Sequence, residues 1–246
     1  MVLINYSNCL RYKRQFLITF HFPAMKFIAI IFMLLFSFSS CKKTDVAAPS
    51  FSEARYTISV TGKWSSPDFA VPAGAHYTTF VGMIHNSNAW LWKDGSKASP
   101  GMELLAEIGN GVTMLTEIDS MITARNASSL LLFVAPPTLI GTRMSSFYCN
   151  NNYPQVSFAS MLGPTPDWFV GVSGINLYNK NKWVTDTTVS LYAYDAGTEE
   201  GDMFGYNNPA TIPQQNIHVL LASQATVLAN GNPVLVPIGT ARFTKQ

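Results

Sequence analysis

The side chains that could do chemistry in this chain are few, and their spacing limits what that chemistry is. His85 and Glu107 form the one pairing that could work as acid and base or ligate a transition metal. His85, however, closes an apolar run, where a histidine bonded to backbone is the commoner arrangement. His76 and His218 have no helpful spacing. Cys149 sits among asparagines with no basic neighbour to draw out a thiolate. No G-x-S-x-G elbow and no glycine-rich phosphate loop is present. Acidic residues remain. Asp195 and Glu199 flank Gly197, with Gly201 just beyond, and these glycines permit a tight turn that aims both carboxylates inward. Asp167 lies 28 residues before Asp195 and meets them only where two loops converge. Bare carboxylates about 4 Å apart repel by roughly 4 kcal/mol per pair at an effective dielectric of 20. Three such pairs approach the stability of a whole domain, about 5–15 kcal/mol. A divalent cation or strong protonation would have to relieve that repulsion. On the residues alone the other reading stays open: Asp167 and Asp195 close Asx turns, and Glu199 is solvated.

The elements that must position these side chains read as short strands. Residues 54–61 (ARYTISVT) alternate, with Tyr56, Ile58 and Val60 on one face. Strand-like runs follow at 77–84, 130–134, 169–172, 187–194, 217–222 and 240–244. Breaks such as Asn150-Asn151-Asn152 and Asn230-Gly231-Asn232-Pro233 separate them. Residues 101–108 carry a helical spacing, and 114–122 is ambiguous. Many short strands with one or two short helices predict an all-β antiparallel sandwich. Among the tryptophans, Trp168 and Trp183 have apolar neighbours and are expected in the core. Trp90 and Trp92 would share one face of any strand, buried or open to a sugar ring.

The first 41 residues are read as an address. Met25-Lys26 begins a basic segment, Phe27 to Phe36 is unbroken apolar, and Ser39-Ser40 precede Cys41. The run is too short for a hydrocarbon core, which needs about 20 apolar residues. A cysteine at that place is where bacterial lipoprotein signals are cut and lipidated, although Phe38 stands where leucine is usual. The expected organisation is a signal peptide over 1–40 with Met25 as the true start, a lipidated tether over 41–53, and one domain over 54–246. Of the 16 basic residues, Arg11, Lys13, Arg14 and Lys26 lie in the leader, which leaves 12 against 14 acidic ones. The basic character therefore belongs to the leader, and nothing predicts nucleic-acid binding. With Cys9 and Cys41 outside the domain, Cys149 has no partner for an internal disulfide. About 190 residues can carry a core unaided.

An ordered series of segments resembles the spondin domain of F-spondin-type extracellular matrix proteins. It comprises Gly62-Lys63-Trp64, Gly82-Met83-Ile84-His85, Leu91-Trp92-Lys93-Asp94-Gly95, Ala98-Ser99-Pro100-Gly101 and Leu105-Ala106-Glu107-Ile108-Gly109. Its most specific parts are Pro164 to Gly171 (PTPDWFVG) and Asp195 to Gly201 (DAGTEEG), followed by Thr211-Ile212-Pro213 and Ala241-Arg242-Phe243. The resemblance implies a C2-like sandwich with one calcium ion (Ca2+) held in loops by Asp167, Asp195 and Glu199. Glu199 falls where the animal proteins usually have aspartate, one methylene shorter. Cysteines that animal members carry before the tryptophan matching Trp183 are absent here, and no thrombospondin-type repeats follow.

Together these readings predict an exported lipoprotein of a bacterial cell envelope, anchored through Cys41 to a membrane, with the outer membrane expected. It would act as a non-enzymatic binding or adhesion module for a protein or glycan at the cell surface. Two other functions are weighed: a carbohydrate-active hydrolase using Glu107 and a loop carboxylate, and a purely structural envelope protein.

Overall fold

Alternation along the first strand sets the architecture. In β1 (Glu53–Gly62) Tyr56, Ile58 and Val60 are buried while their neighbours face outward, as expected of a sheet with one wet face. The computed structural model describes residues 50–220, 227–229 and 236–246. The expected signal peptide, Met25, Cys41, most of the tether, the end of the 217–222 strand and the Asn230–Pro233 break lie outside the described residues.

After β1 come β2 (His76–Tyr77), β3 (Phe80–His85), helices α1 (Pro100–Ile108) and α2 (Val112–Thr123), and β4 (Ala127–Phe133). Then follow β5 (Thr142–Asn150), β6 (Gln155–Gly163), β7 (Trp168–Asn176), β8 (Tyr178–Asn179) and β9 (Lys182–Trp183). The last are β10 (Asp186–Leu191), β11 (Ala193–Asp195), β12 (His218–Val219) and β13 (Gly239–Lys245). One sheet runs β10-β13-β1-β5, and the larger runs β12-β11-β7-β6-β3-β4 with β2 beside β6. The strands β8 and β9 pair with each other. All pairings are antiparallel. The fold is an all-β sandwich with two short helices.

Two apolar clusters explain the layering. The first lies between the sheets and joins Tyr56, Ile58, Phe80, Phe158, Trp168 and Phe243. The second joins Met83, Ala159 and Phe169, on the opposite face of the larger sheet, to Met102, Leu105, Met114 and Ile118 of the helices. The strands β3, β6 and β7 are thus covered on both sides, which is why they read as continuous apolar runs rather than alternating ones.

The helix pair is fixed by capping. Ser99 Oγ accepts from Met102 N at 3.2 Å, Pro100 stands in the first turn, and Gly109 closes α1 in the left-handed region at φ 70°. Glu117 of α2 reaches back to α1, where its Oε1 accepts from Gly101 N at 2.8 Å and its Oε2 from Ser99 Oγ at 2.7 Å.

Several expectations need correction. The ambiguous 114–122 segment is helical, because Met114 and Ile118, one turn apart, both enter the second cluster. Both β5 and β6 were unexpected. The 77–84 run divides into β2 and β3, which pair with successive stretches of the same strand β6. The 187–194 run divides into β10 and β11, which serve different partners, β13 and β7. Trp90 and Trp92 do not share a face, because their segment is not a strand: Trp90 is 52% exposed and Trp92 is buried. Trp168 is in the core as expected, and Trp183 packs half-buried against it.

Candidate functional site

The two acidic loops meet where β7 begins and β11 ends. Antiparallel pairing sets Asp195 opposite Trp168, so Asp167, one residue earlier, arrives beside the segment that follows Asp195. The backbone fastens them, with Ala196 N donating to Asp167 O at 3.2 Å. Asp167 is completely buried. Its Oδ2 accepts from Thr198 N at 2.7 Å, Glu199 N at 3.1 Å and Thr198 Oγ1 at 3.2 Å. It therefore ties two distant loops together rather than closing a local Asx turn. Its other oxygen, Oδ1, is buried and has no hydrogen-bond partner among the described residues.

Asp195 does close an Asx turn, its Oδ1 accepting from Gly197 N at 2.7 Å. Gly197 is obligatory for this turn. Its φ is +72°, and a Cβ there would stand 2.6 Å from the carbonyl oxygen of Gln215. Gln215 N in turn donates to Gly197 O at 2.8 Å, which pins the 196–201 loop to the segment leading into β12. The Glu199 carboxylate accepts from Asn208 Nδ2 at 3.4 Å.

Charge shows in the proton affinities. Burial, followed by the nearby Asp167 charge, pushes Asp195 up to about 6, against the pull of Gly197 N–H and His218. Burial also raises Asp167, against its hydrogen bonds from the 198–199 loop. Glu199 is raised by burial and, less strongly, by Asp167. A fourth carboxylate joins them. Glu107, in the last turn of α1, is raised first by burial and then by Glu199, Glu103 and Asp167, while Thr198 pulls it down. His218 Nδ1 lies 4.0 Å from Asp195 Oδ1, across the β11–β12 pair. Trp168 Nε1, buried and without a hydrogen-bond partner, stays near enough to Asp195 to lower its pKa.

The sequence indicated Asp167, Asp195 and Glu199, and the fold sets all three at the β7–β11 junction, near enough for Asp167 to raise the pKa of the other two. The fold also brings in His218, which the sequence does not associate with them, and Glu107, which is set beside a loop carboxylate only in the hydrolase alternative. Nothing local could have done so for Glu107, which arrives on a helix. For His218 the one available signal was the short strand in which it sits. An open cavity of about 270 Å³ lies against this cluster, lined by Asp195, Glu199, Glu200, Gln215 and His218 among others. Among the described residues, no three Asp, Glu, His or Cys side chains are grouped closely enough to hold a metal ion by themselves.

The remaining candidates are structural. His85 is buried, with Nε2 2.8 Å from Ser157 Oγ and Nδ1 2.7 Å from the carbonyl oxygen of Asn86, and burial lowers its pKa. Both ring nitrogens are occupied, and Glu107 is not among its partners. Cys149 is buried in the first cluster, and burial pushes its thiol up to about 12.

A helix-covered β-sandwich with an acidic loop site at the β7–β11 junction is the class of protein that these features define. Within it, the Spondin_N family model matches residues 54–230, and the chain belongs to that family. It is 33% identical to human Spondin-2 over 186 residues, 72% of this chain and 55% of that protein. Rat Spondin-2 is also 33% identical over 186 residues, 56% of its length. Chicken Spondin-1 is 32% identical over 176 residues, 68% of this chain and 22% of that protein. The chain therefore spans about half the length of Spondin-2 and about a fifth of Spondin-1.

Proposed function

We infer that this chain is an exported, calcium-stabilised binding module without catalytic activity, tethered to a bacterial membrane through lipid on Cys41. The observation that carries the calcium reading is the bare, buried Oδ1 of Asp167 beside two further carboxylates with raised pKa. A buried acceptor left unpaired costs roughly 1–3 kcal/mol, more when it is charged. Asp167, Asp195 and Glu199 offer oxygen alone, which suits a hard dication, and the Nδ1 of His218 beside them is held 3.1 Å from Asn216 O. Asp167, Asp195 and Glu199 would hold the ion, with backbone carbonyls and water completing its six to eight ligands. Glu107 would add charge from α1. When bound, the ion would offset the carboxylate repulsion that opposes the meeting of the two loops.

Membership of the spondin family supports the binding-module reading, and the structural role of His85 leaves Glu107 without its expected partner. The raised pKa of Glu107 is the one observation that favours the hydrolase reading. Against it, Glu107 does not line the cavity beside the cluster. A glycan and ester panel with Glu107→Gln as control tests this, because turnover abolished by that change would replace the binding module with an enzyme.

Calcium titration followed by thermal melting tests the ion. Millimolar calcium raises the midpoint of the unaltered chain and leaves Asp195→Ala where it was. A midpoint that ignores calcium in both removes the metal. For the anchor, Cys41→Ser releases the protein from membranes into the soluble fraction, whereas persistent membrane association contradicts lipidation.

A further inference from the structure

The acidic cluster leaves unexplained an exposed tryptophan on the loop between β3 and α1. Trp90 is 52% exposed, although Trp92, two residues on, is buried against Phe169 and Tyr194 with its Nε1 donating to Phe158 O at 3.1 Å. Trp92 fastens the loop to the sheet and holds Trp90 outward. Beside the exposed indole opens a cavity of about 330 Å³, lined by Asn88, Trp92, Lys97, Ser99 and Asn126 among others. That size falls in the range of about 300–1,000 Å³ typical of small-ligand sites.

The groups around it form a recognisable set. Lys93 Nζ stands 5.7 Å from the Trp90 ring centroid. Lys97 is exposed and forms no salt bridge among the described residues. The side-chain amides of Asn88 and Asn126 have no hydrogen-bond partner there either. Ser99, in the lining, donates to Glu117, which also accepts from Gly101, and the one acid on the loop itself, Asp94, follows Lys93 and is not part of the lining. An exposed indole, two free amides and the ammonium of Lys97 therefore line one cavity, with the Lys93 ammonium beside the indole at its edge.

We propose that the Trp90 cavity is a binding site for an acidic saccharide, its ring stacked on the indole and its carboxylate or sulfate bound by Lys97 and Lys93. Indole supplies an apolar platform for the C–H face of a pyranose. Asn88 and Asn126 can both donate to and accept from ring hydroxyls. The lysines make charge-assisted hydrogen bonds to the acidic group. This site rests on the binding-module reading and lies on a different loop from the carboxylates, so it can fail without the ion failing.

The test is a glycan array probed with the full chain in saturating calcium, carrying uronate, sialylated and sulfated oligosaccharides beside their neutral counterparts, with acidic peptides as a further arm. Acidic glycans are retained and neutral ones are not. Affinity for the best acidic glycan, measured by titration calorimetry, falls by about tenfold or more in Trp90→Ala, the loss expected of an aromatic anchor. Trp90→Phe restores part of it, and Lys97→Gln weakens binding while reducing its salt dependence. Unchanged circular dichroism and calcium-dependent melting show that the variants fold. Retention of no acidic glycan, equal retention of neutral ones, preference for acidic peptides, or full affinity in Trp90→Ala each overturns the proposal.

Discussion

At the scale of single residues, Asp195 shows how the fold sets a charge at odds with its surroundings. Burial, with the Asp167 charge beside it, pushes its carboxyl up to about 6 from an ordinary value of 3.8. The folded state therefore holds this proton more tightly than the unfolded state. The resulting stability is fully present below about pH 4 and is lost as pH rises through about 6. At 1.36 kcal/mol for each pKa unit, the loss is on the order of 3 kcal/mol. Asp167 and Glu199 are raised too and act in the same direction. In a chelator, the thermal midpoint should thus fall as pH rises from about 4 through 6 and level off above that, and Asp195→Asn should flatten much of that fall. Added calcium should abolish it at pH 7.5 and do little at pH 5, where protons already neutralise the site. A midpoint independent of pH in chelator would mean that neither burial nor mutual repulsion raises these carboxylates.

At the scale of elements, the parts read most easily from sequence were those with a single environment along their length. The strand β1 alternates cleanly because one face meets the core and the other meets water. The strand β5 escaped because only Phe147 and Cys149 are buried, at its far end, while Met144 and Tyr148 face outward. The strand β6 escaped for the opposite reason, being buried almost throughout, with small residues such as Ser157, Ala159 and Ser160 where helix and sheet crowd it. The Trp90-Trp92 expectation failed because parity along a strand was applied to a loop. In the candidate site, Asp195 and Glu199 were legible through glycine spacing, and Asp167 through the family pattern. Glu107 was not, because helix packing delivers it. That packing gives its own prediction. A Cβ at Gly101 would stand 2.6 Å from both Met114 Cα and Glu117 Oε2, so Gly101→Ala must separate the helices or break the Glu117 cap. Overpacking of this kind costs about 1–3 kcal/mol, and lower denaturation midpoints in urea should show it. Unaltered stability would mean that the helices slide apart freely.

At the scale of the whole molecule, the acidic cluster and the Trp90 loop are joined through one short segment. Gln215 N donates to Gly197 O in the carboxylate loop. On the same segment, Gly95 N donates to Ile217 O, Ile217 N to Ser96 O, and Gln214 Nε2 to Ala98 O. Residues 214–217 are thus clamped between the turn that follows Asp195 and the loop that carries Trp90. If calcium draws Asp167 and the 196–201 loop together, it also firms the support of 93–98. Local opening free energies are low where a few backbone bonds hold a loop, and ligands shift them measurably. Hydrogen exchange followed by mass spectrometry should show amides in 93–98 and 214–217 slowing together when calcium is added. Asp195→Ala should remove the slowing in both segments, while strands β1 and β13, remote from the clamp, stay unchanged. Slowing confined to 196–201 would establish the opposite: an ion that orders its own loop and leaves the Trp90 face to form independently.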